Sequence, residues 1–232
     1  LGSGGKVRIN SVSGDIIVKG YNGESVIVTG IREGRDRDLV EVEDRSSGNT
    51  IDIGVRYPKN CNCNASVRFE IQVPSESKYD FDRLSSASGD IEVSSVRGSL
   101  RINTASGDVR VAGFDGEAEV SSASGDIRVG EVTGTVSARA ASGDVEVEIT
   151  RLEGTGNMEF ATASGDVKVS LPSDLDADVD MSTVSGSLTT DFPIQVEQKH
   201  HGSGRHAAGR LGGGSRTLRI RAASGDVSLK RM

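Results

Sequence analysis

Between residues 89 and 143, apolar side chains recur in a pattern that no helix produces. Glycine recurs every nine residues as Gly89, Gly98, Gly107, Gly116, Gly125, Gly134 and Gly143, and counted from each of the first six the apolar side chains fall at the second, fourth and seventh positions. The first three units give Ile91, Val93 and Val96, then Leu100, Ile102 and Ala105, then Val109, Val111 and Phe114. The later units continue the rule through Ala118, Val120 and Ala123 to Val136, Ala138 and Ala141. Alternation at the second and fourth positions marks a strand with one buried face, and the glycine supplies the turn.

A second period lies over the first. Ser-Gly-Asp begins at Ser13, Ser88, Ser106, Ser124, Ser142, Ser164 and Ser224, and Ser-Gly-Ser stands at Ser185. From Ser88 to Ser142 the spacing is a constant eighteen, so the tripeptide marks every second glycine. A nine-residue unit holds one short strand and one corner, and alone it cannot bury its apolar side, so units must stack. The pattern predicts an all-β chain folded as a single-stranded, right-handed parallel β-helix. Two units form one coil of about 18 residues around a thin core of Val, Ile, Leu and Ala, with like positions about 4.8 Å apart.

The period loosens towards both ends. Steps of twenty-two and twenty-one follow Ser142, and the last step, from Ser185 to Ser224, is thirty-nine and contains a glycine-rich insertion. Residues 1–84 are expected to be a less regular β segment that joins or caps the solenoid formed by residues 85–232. Within the latter, 198–215 reads as a mobile Gly/His-rich loop, because it lacks periodic apolar positions.

Composition narrows the class. The 232 residues include 30 Gly, no Trp, three Tyr and five Phe, so small and β-branched residues must fill the core. A net charge of −7 argues against nucleic acid, whose phosphates call for a clustered basic face. No apolar run is long enough to span a membrane. The chain opens Leu1-Gly2-Ser3 without Met, as expected of a trimmed or mature chain. Cys61 and Cys63 form a C-x-C; in a strand such side chains share one face and could bond only with strain, so two ordinary thiols are expected ahead of a disulfide.

The stretches Val12-Ser13-Gly14-Asp15-Ile16, Ile71-Gln72-Val73-Pro74, the central Ala-Ser-Gly-Asp repeats and Ala223-Ser224-Gly225-Asp226-Val227 are familiar together. The chain resembles a bacterial β-strand repeat family of unknown function whose members are labelled as candidate adhesins. That resemblance implies a parallel β-helix in an exported or envelope-associated protein. It brings no catalytic residues to carry over.

Several groups have candidate chemistry. Asp90, Asp108, Asp126 and Asp144 should form a column along one corner, extended by Asp166 and Asp226. Stacked carboxylates could bind calcium. Alternate units, however, carry Ser99, Glu117 or Thr135 in the equivalent place, so side chains bonding the amides of their own turns are preferred. His200, His201 and His206 could hold a transition metal, although exposed histidines on a loop are the expected reading. No histidine stands near any Ser-Asp pair in the repeats, so no enzyme and no cofactor are expected. The outward positions Glu92, Arg110, Arg128 and Glu146, and on the other side Arg101, Glu119 and Ser137, read as solvated rows with cross-strand ion pairs. The expected function is a non-catalytic scaffold that binds a protein or glycan at the cell envelope. The alternatives are a solenoid that polymerises end to end and, less favoured, a carbohydrate-active β-helix enzyme.

Overall fold

The computed structural model describes residues 1–194, 196–198 and 204–232. Along the chain the strands are β1 (Lys6–Ser13), β2 (Ile16–Tyr21), β3 (Ile27–Glu33), β4 (Glu41–Asp44), β5 (Thr50–Arg56), β6 (Ser66–Pro74) and β7 (Lys78–Ser88). Three long strands follow: β8 (Ile91–Ser106), β9 (Val109–Ser124) and β10 (Ile127–Ser142). Then come β11 (Val145–Arg151), β12 (Met158–Ser164), β13 (Val167–Leu171), β14 (Ala177–Ser185) and β15 (Leu188–Thr190). The last are β16 (Val196–Gln198), β17 (Arg205–Leu211), β18 (Thr217–Ser224) and β19 (Val227–Arg231). All of them join one open sheet of 19 strands, which winds as a β-solenoid-like stack of parallel rungs.

The central strands β8, β9 and β10 pair in unbroken register, and the ladder continues from β10 into β11 with a shift after Val129. Ile91 lies against Val109, Val109 against Ile127, and Ile127 against Val145. Side chains at the second and fourth positions point into a single core; Ile91, Val93, Ile102, Val111 and Val129 are all 2% exposed or less. The seventh position behaves differently in the two units of a coil. Val96, Phe114 and Val132 are buried, whereas Ala105, Ala123 and Ala141 face solvent. Thr104, Ser122 and Ala140, one residue earlier, take the inward places. Alanine fits either face, so its apolar character misplaced the register there.

The expected unit of one strand and one corner also needs revision. β8, β9 and β10 each run 16 residues, straight through Gly98, Gly116 and Gly134. These glycines bend a continuous strand instead of ending it. At Gly116 φ is 142°, and a Cβ there would come within 1.9 Å of the Gly98 carbonyl oxygen, so the bend admits no side chain.

Order in space departs from order in sequence at both ends. β1 is paired with β5 on one edge and β7 on the other, and β2 with β6 and β8. Likewise β18 lies between β12 and β14, and β19 between β13 and β15. The first and last strand pairs of the chain are therefore next-to-outermost rungs, each held inside a rung laid down by an interior segment. The step of thirty-nine before Ser224 follows from this: the final strands insert ahead of residues 177–190 in the stack.

Antiparallel strands cover outer strands at both ends of the stack. β3 lies along β6 and β4 along β5 at one end; β17 lies along β14, and β16 along β17, at the other. A 3₁₀ turn, Arg37–Leu39, delivers the buried Val40 beneath the first of these covers. Residues 205–211, expected within a mobile loop, are instead the strand β17. Ala207 and Leu211 turn inward four residues apart, a signal too sparse to register as periodicity.

Cys61 and Cys63 are joined as a disulfide, against the expectation of two thiols. They sit in the loop between β5 and β6, where Asn60 has φ 57° and the Cys61 amide bonds the Pro58 carbonyl at 3.3 Å. The objection drawn from strand geometry does not apply to a turn. Among the described residues no helix is long and apolar enough to cross a membrane.

Candidate functional site

The Ser-Gly-Asp corners stack into one edge of the solenoid. At each corner the glycine amide donates to the serine carbonyl of the next rung, as in Gly89 to Ser106 at 3.1 Å, and the residue after the aspartate donates to the next aspartate carbonyl, as in Ile91 to Asp108 at 2.9 Å. The aspartate amide between them finds no carbonyl. It donates instead to the aspartate carboxylate of the preceding rung. Such bonds run from the Asp90 amide on Asp15 through Asp108 on Asp90, Asp126 on Asp108 and Asp144 on Asp126. They continue with Asp166 on Asp144, Asp226 on Asp166 and Ser187 on Asp226, all between 2.7 and 3.0 Å. The carboxylates were expected to serve their own turns; the structure has each serve its neighbour's, because that is where the orphan donor lies.

The lone Ser-Gly-Ser now has a place. Ser187 stands on the last rung of the ladder, donating to Asp226. Among the described residues no further parallel rung lies beyond it, so a carboxylate there would meet no such amide.

A second polar column runs inside the same corner. Ser11, Ser86, Thr104, Ser122, Thr162 and Thr183 are buried two residues before six of the corner Ser-Gly pairs, while Ala140 and Ala222 take that place before Ser142 and Ser224. Thr162 donates to the Gly143 carbonyl at 3.0 Å and Thr183 to that of Gly225 at 2.9 Å, capping carbonyls that the turn leaves open. Sequence reasoning missed this column, although the Ser/Thr preference at that place was visible.

Outside, arginines bridge successive carboxylates. Arg110 contacts Asp108 at 2.8 Å and Asp90 at 3.4 Å, and Arg128 contacts Asp126 at 2.8 Å and Asp108 at 3.8 Å. The Asp144 amide, with Arg128 and Arg110, holds the Asp126 carboxyl below the usual carboxylate range. Amides and guanidinium groups thus offset the like-charge repulsion of Asp90, Asp108 and Asp126. Beside the carboxylates, Ala87, Ala105, Ala123, Ala141, Ala163 and Ala223 form an exposed ridge ending in Val12 and Val184.

The two lateral faces differ. On the face that contains Arg101, charges alternate from rung to rung. Arg8 binds Asp82 at 2.6 Å, Arg101 binds Glu119 at 3.1 Å, and Arg139 reaches both Glu119 and Glu159 across the gap at Ser137. The opposite face has a shallow groove of about 460 Å³ floored by Ala112 and Gly130, between Arg110 and Arg128 on one side and Glu131 and Glu148 on the other.

Of the histidines, His206 on β17 lies 3.4 Å from Asp180. His200 and His201 lie outside the described residues. Among the described residues, no group of three or more His, Cys, Asp or Glu is placed to hold a metal ion.

The family model for Toastrack DUF4097 matches residues 5–230. The chain belongs to that family. No functionally curated protein matches it. Among solved structures, this Toastrack chain is similar to a candidate adhesin from Bacteroides fragilis, with 16% identity, a TM-score of 0.50, and coverage of 100% of this chain and 94% of the other. It is also similar to a candidate cell adhesion protein from Clostridium sporogenes, with 12% identity, a TM-score of 0.43 and the same coverage. At such identities the likeness to the Bacteroides protein speaks for the Toastrack fold alone.

Proposed function

We propose that this protein is a non-catalytic scaffold, exported or held at the cell envelope, that binds a protein or glycan partner in an adhesive role. In this reading it is a right-handed solenoid of about eighteen residues per coil, and its lateral surface meets the partner. The observation that carries the reading is the antiparallel cover over outer strands at both ends, by β3 and β4 over β6 and β5 at one end and by β17 over β14 at the other. An open parallel edge would template pairing with another copy; a covered one disfavours it. The exposed alanine ridge and the shallow groove at Ala112 and Gly130 are then the surfaces available. The family membership and the adhesin description of the Bacteroides relative support the same class.

The test joins two measurements on the purified chain. Sedimentation across a concentration series is expected to show no growth into filaments. A screen against glycans and envelope proteins is expected to find a partner whose binding falls when Gly130→Arg fills the groove or Ala123→Arg interrupts the ridge. Filament growth with concentration, or a partner indifferent to both substitutions, would overturn the reading.

A further inference from the structure

We propose that Cys61–Cys63 is a thiol-exchange site, an electron acceptor for an external thiol or dithiol, and not a brace for the fold. The disulfide lies where an outer rung departs from the Ser-Gly-Asp corner and closes instead through the loop of residues 57–65. That loop is held without the sulfurs. The Tyr57 hydroxyl donates to the Ala65 carbonyl at 3.0 Å, the Asn64 amide donates to the Asp36 carboxylate at 2.8 Å, and the Asp36 amide returns a bond to the Asn64 carbonyl at 3.0 Å. Both cysteines are partly exposed, flanked by exposed Lys59, Asn60, Asn62 and Asn64, and neither belongs to the core.

The ring the bond closes is short, since the cysteines are two residues apart in sequence. A cross-link over so short a loop removes little entropy from the unfolded chain. By linkage, the fold favours the bond only as much as the bond favours the fold. The pair is therefore reducible while the chain stays folded, which is what exchange requires.

The chemistry balances without another reactant. A partner thiolate attacks one cysteine sulfur, the Cys61–Cys63 bond breaks, and the other cysteine leaves as thiolate. A second partner thiolate then displaces the first cysteine. The partner gains a disulfide, the chain gains two thiols, and two electrons and two protons have moved.

Equilibration with reduced and oxidised glutathione, read by mass spectrometry after acid quenching, tests the proposal in buffer and again in unfolding urea. Loop-closure entropy for a three-residue ring predicts that the glutathione ratio at half-reduction differs between the two states by about fifteenfold. A difference above roughly a hundredfold means that the fold clamps the bond, and overturns the proposal. Cys63→Ser, which leaves Cys61 alone, is expected to form a glutathione adduct in the folded state. No adduct, or a chain that retains two free thiols in air-saturated buffer, also overturns it.

Discussion

At Gly107 the chain turns through Ser-Gly-Asp; at Gly116, nine residues on, it bends inside an unbroken strand. The first corner leaves an amide without a backbone acceptor, so the preceding rung must supply a carboxylate, and aspartate recurs at 90, 108, 126 and 144. The second corner keeps its ladder and demands only the absence of a Cβ. Residues after its glycines are free to vary, and Ser99, Glu117 and Thr135 stand there. One spacing of glycine thus hides two devices, one that fixes register by a polar bond and one that only clears space.

The broadest way to break this comparison is to attack the core both corners share. Val111 is 2% exposed, and Val111→Asp should abolish folding, because a buried unpaired charge costs several kcal/mol. Arg110→Asp, one residue away and half exposed, should stay within about 1 kcal/mol in urea unfolding. Equal losses would mean that the register is wrong.

Next come the two glycines. A Cβ at Gly116 would lie 1.9 Å from the Gly98 carbonyl oxygen, and one at Gly125 would lie 2.2 Å from that of Gly107. Gly116→Ala and Gly125→Ala should each cost about 2 kcal/mol or more in chemical denaturation. A tolerated Gly116→Ala would show that the second corner has slack, and the distinction would shift towards the first.

The smallest effects separate the corners most sharply. Asp126→Ala, which orphans the Asp144 amide, should lose about 1–2 kcal/mol, while Glu117→Ala at the second corner should stay within about 0.5 kcal/mol. The Asp126 carboxyl is held below its unfolded value, so its contribution is complete above about pH 4 and is lost as pH falls through the lower folded value. Asp126→Asn keeps an acceptor, and should flatten that acid-side decline more than it lowers stability at neutral pH. Thermal melts from pH 7 to pH 3 would check both. A decline unchanged by Asp126→Asn would place the acid sensitivity elsewhere.

Much of this was legible in the residues. Ile91, Val93 and Val96 announce strands because branched apolar side chains have one stable side of a sheet to occupy. Ala105, Ala123 and Ala141 mislead, since a methyl group gains too little from burial to fix its own orientation. The aspartate column was visible, but not the rung each carboxylate serves, because hydrogen-bond direction across a stack leaves no trace in spacing. Nor could spacing reveal that Ser224 precedes Ser185 in space: order along the chain carries no information about insertion between rungs already named. The disulfide was missed because a C-x-C was judged as strand when Pro58 and Asn60 make it a turn.

The placement of the first and last strand pairs has a mechanical consequence. Tension entering the chain at Lys6 meets β1 bonded along both edges, to β5 and to β7, and tension entering at Arg231 meets β19 bonded to β13 and to β15. A rung at the open end of a stack would peel one ladder at a time. Here a pull from either side must shear two ladders together, one of them against the outermost rung of the stack. Pulled from its first and last strands, such a stack would hold at the places where a solenoid with its terminal strands on the open edge begins to peel.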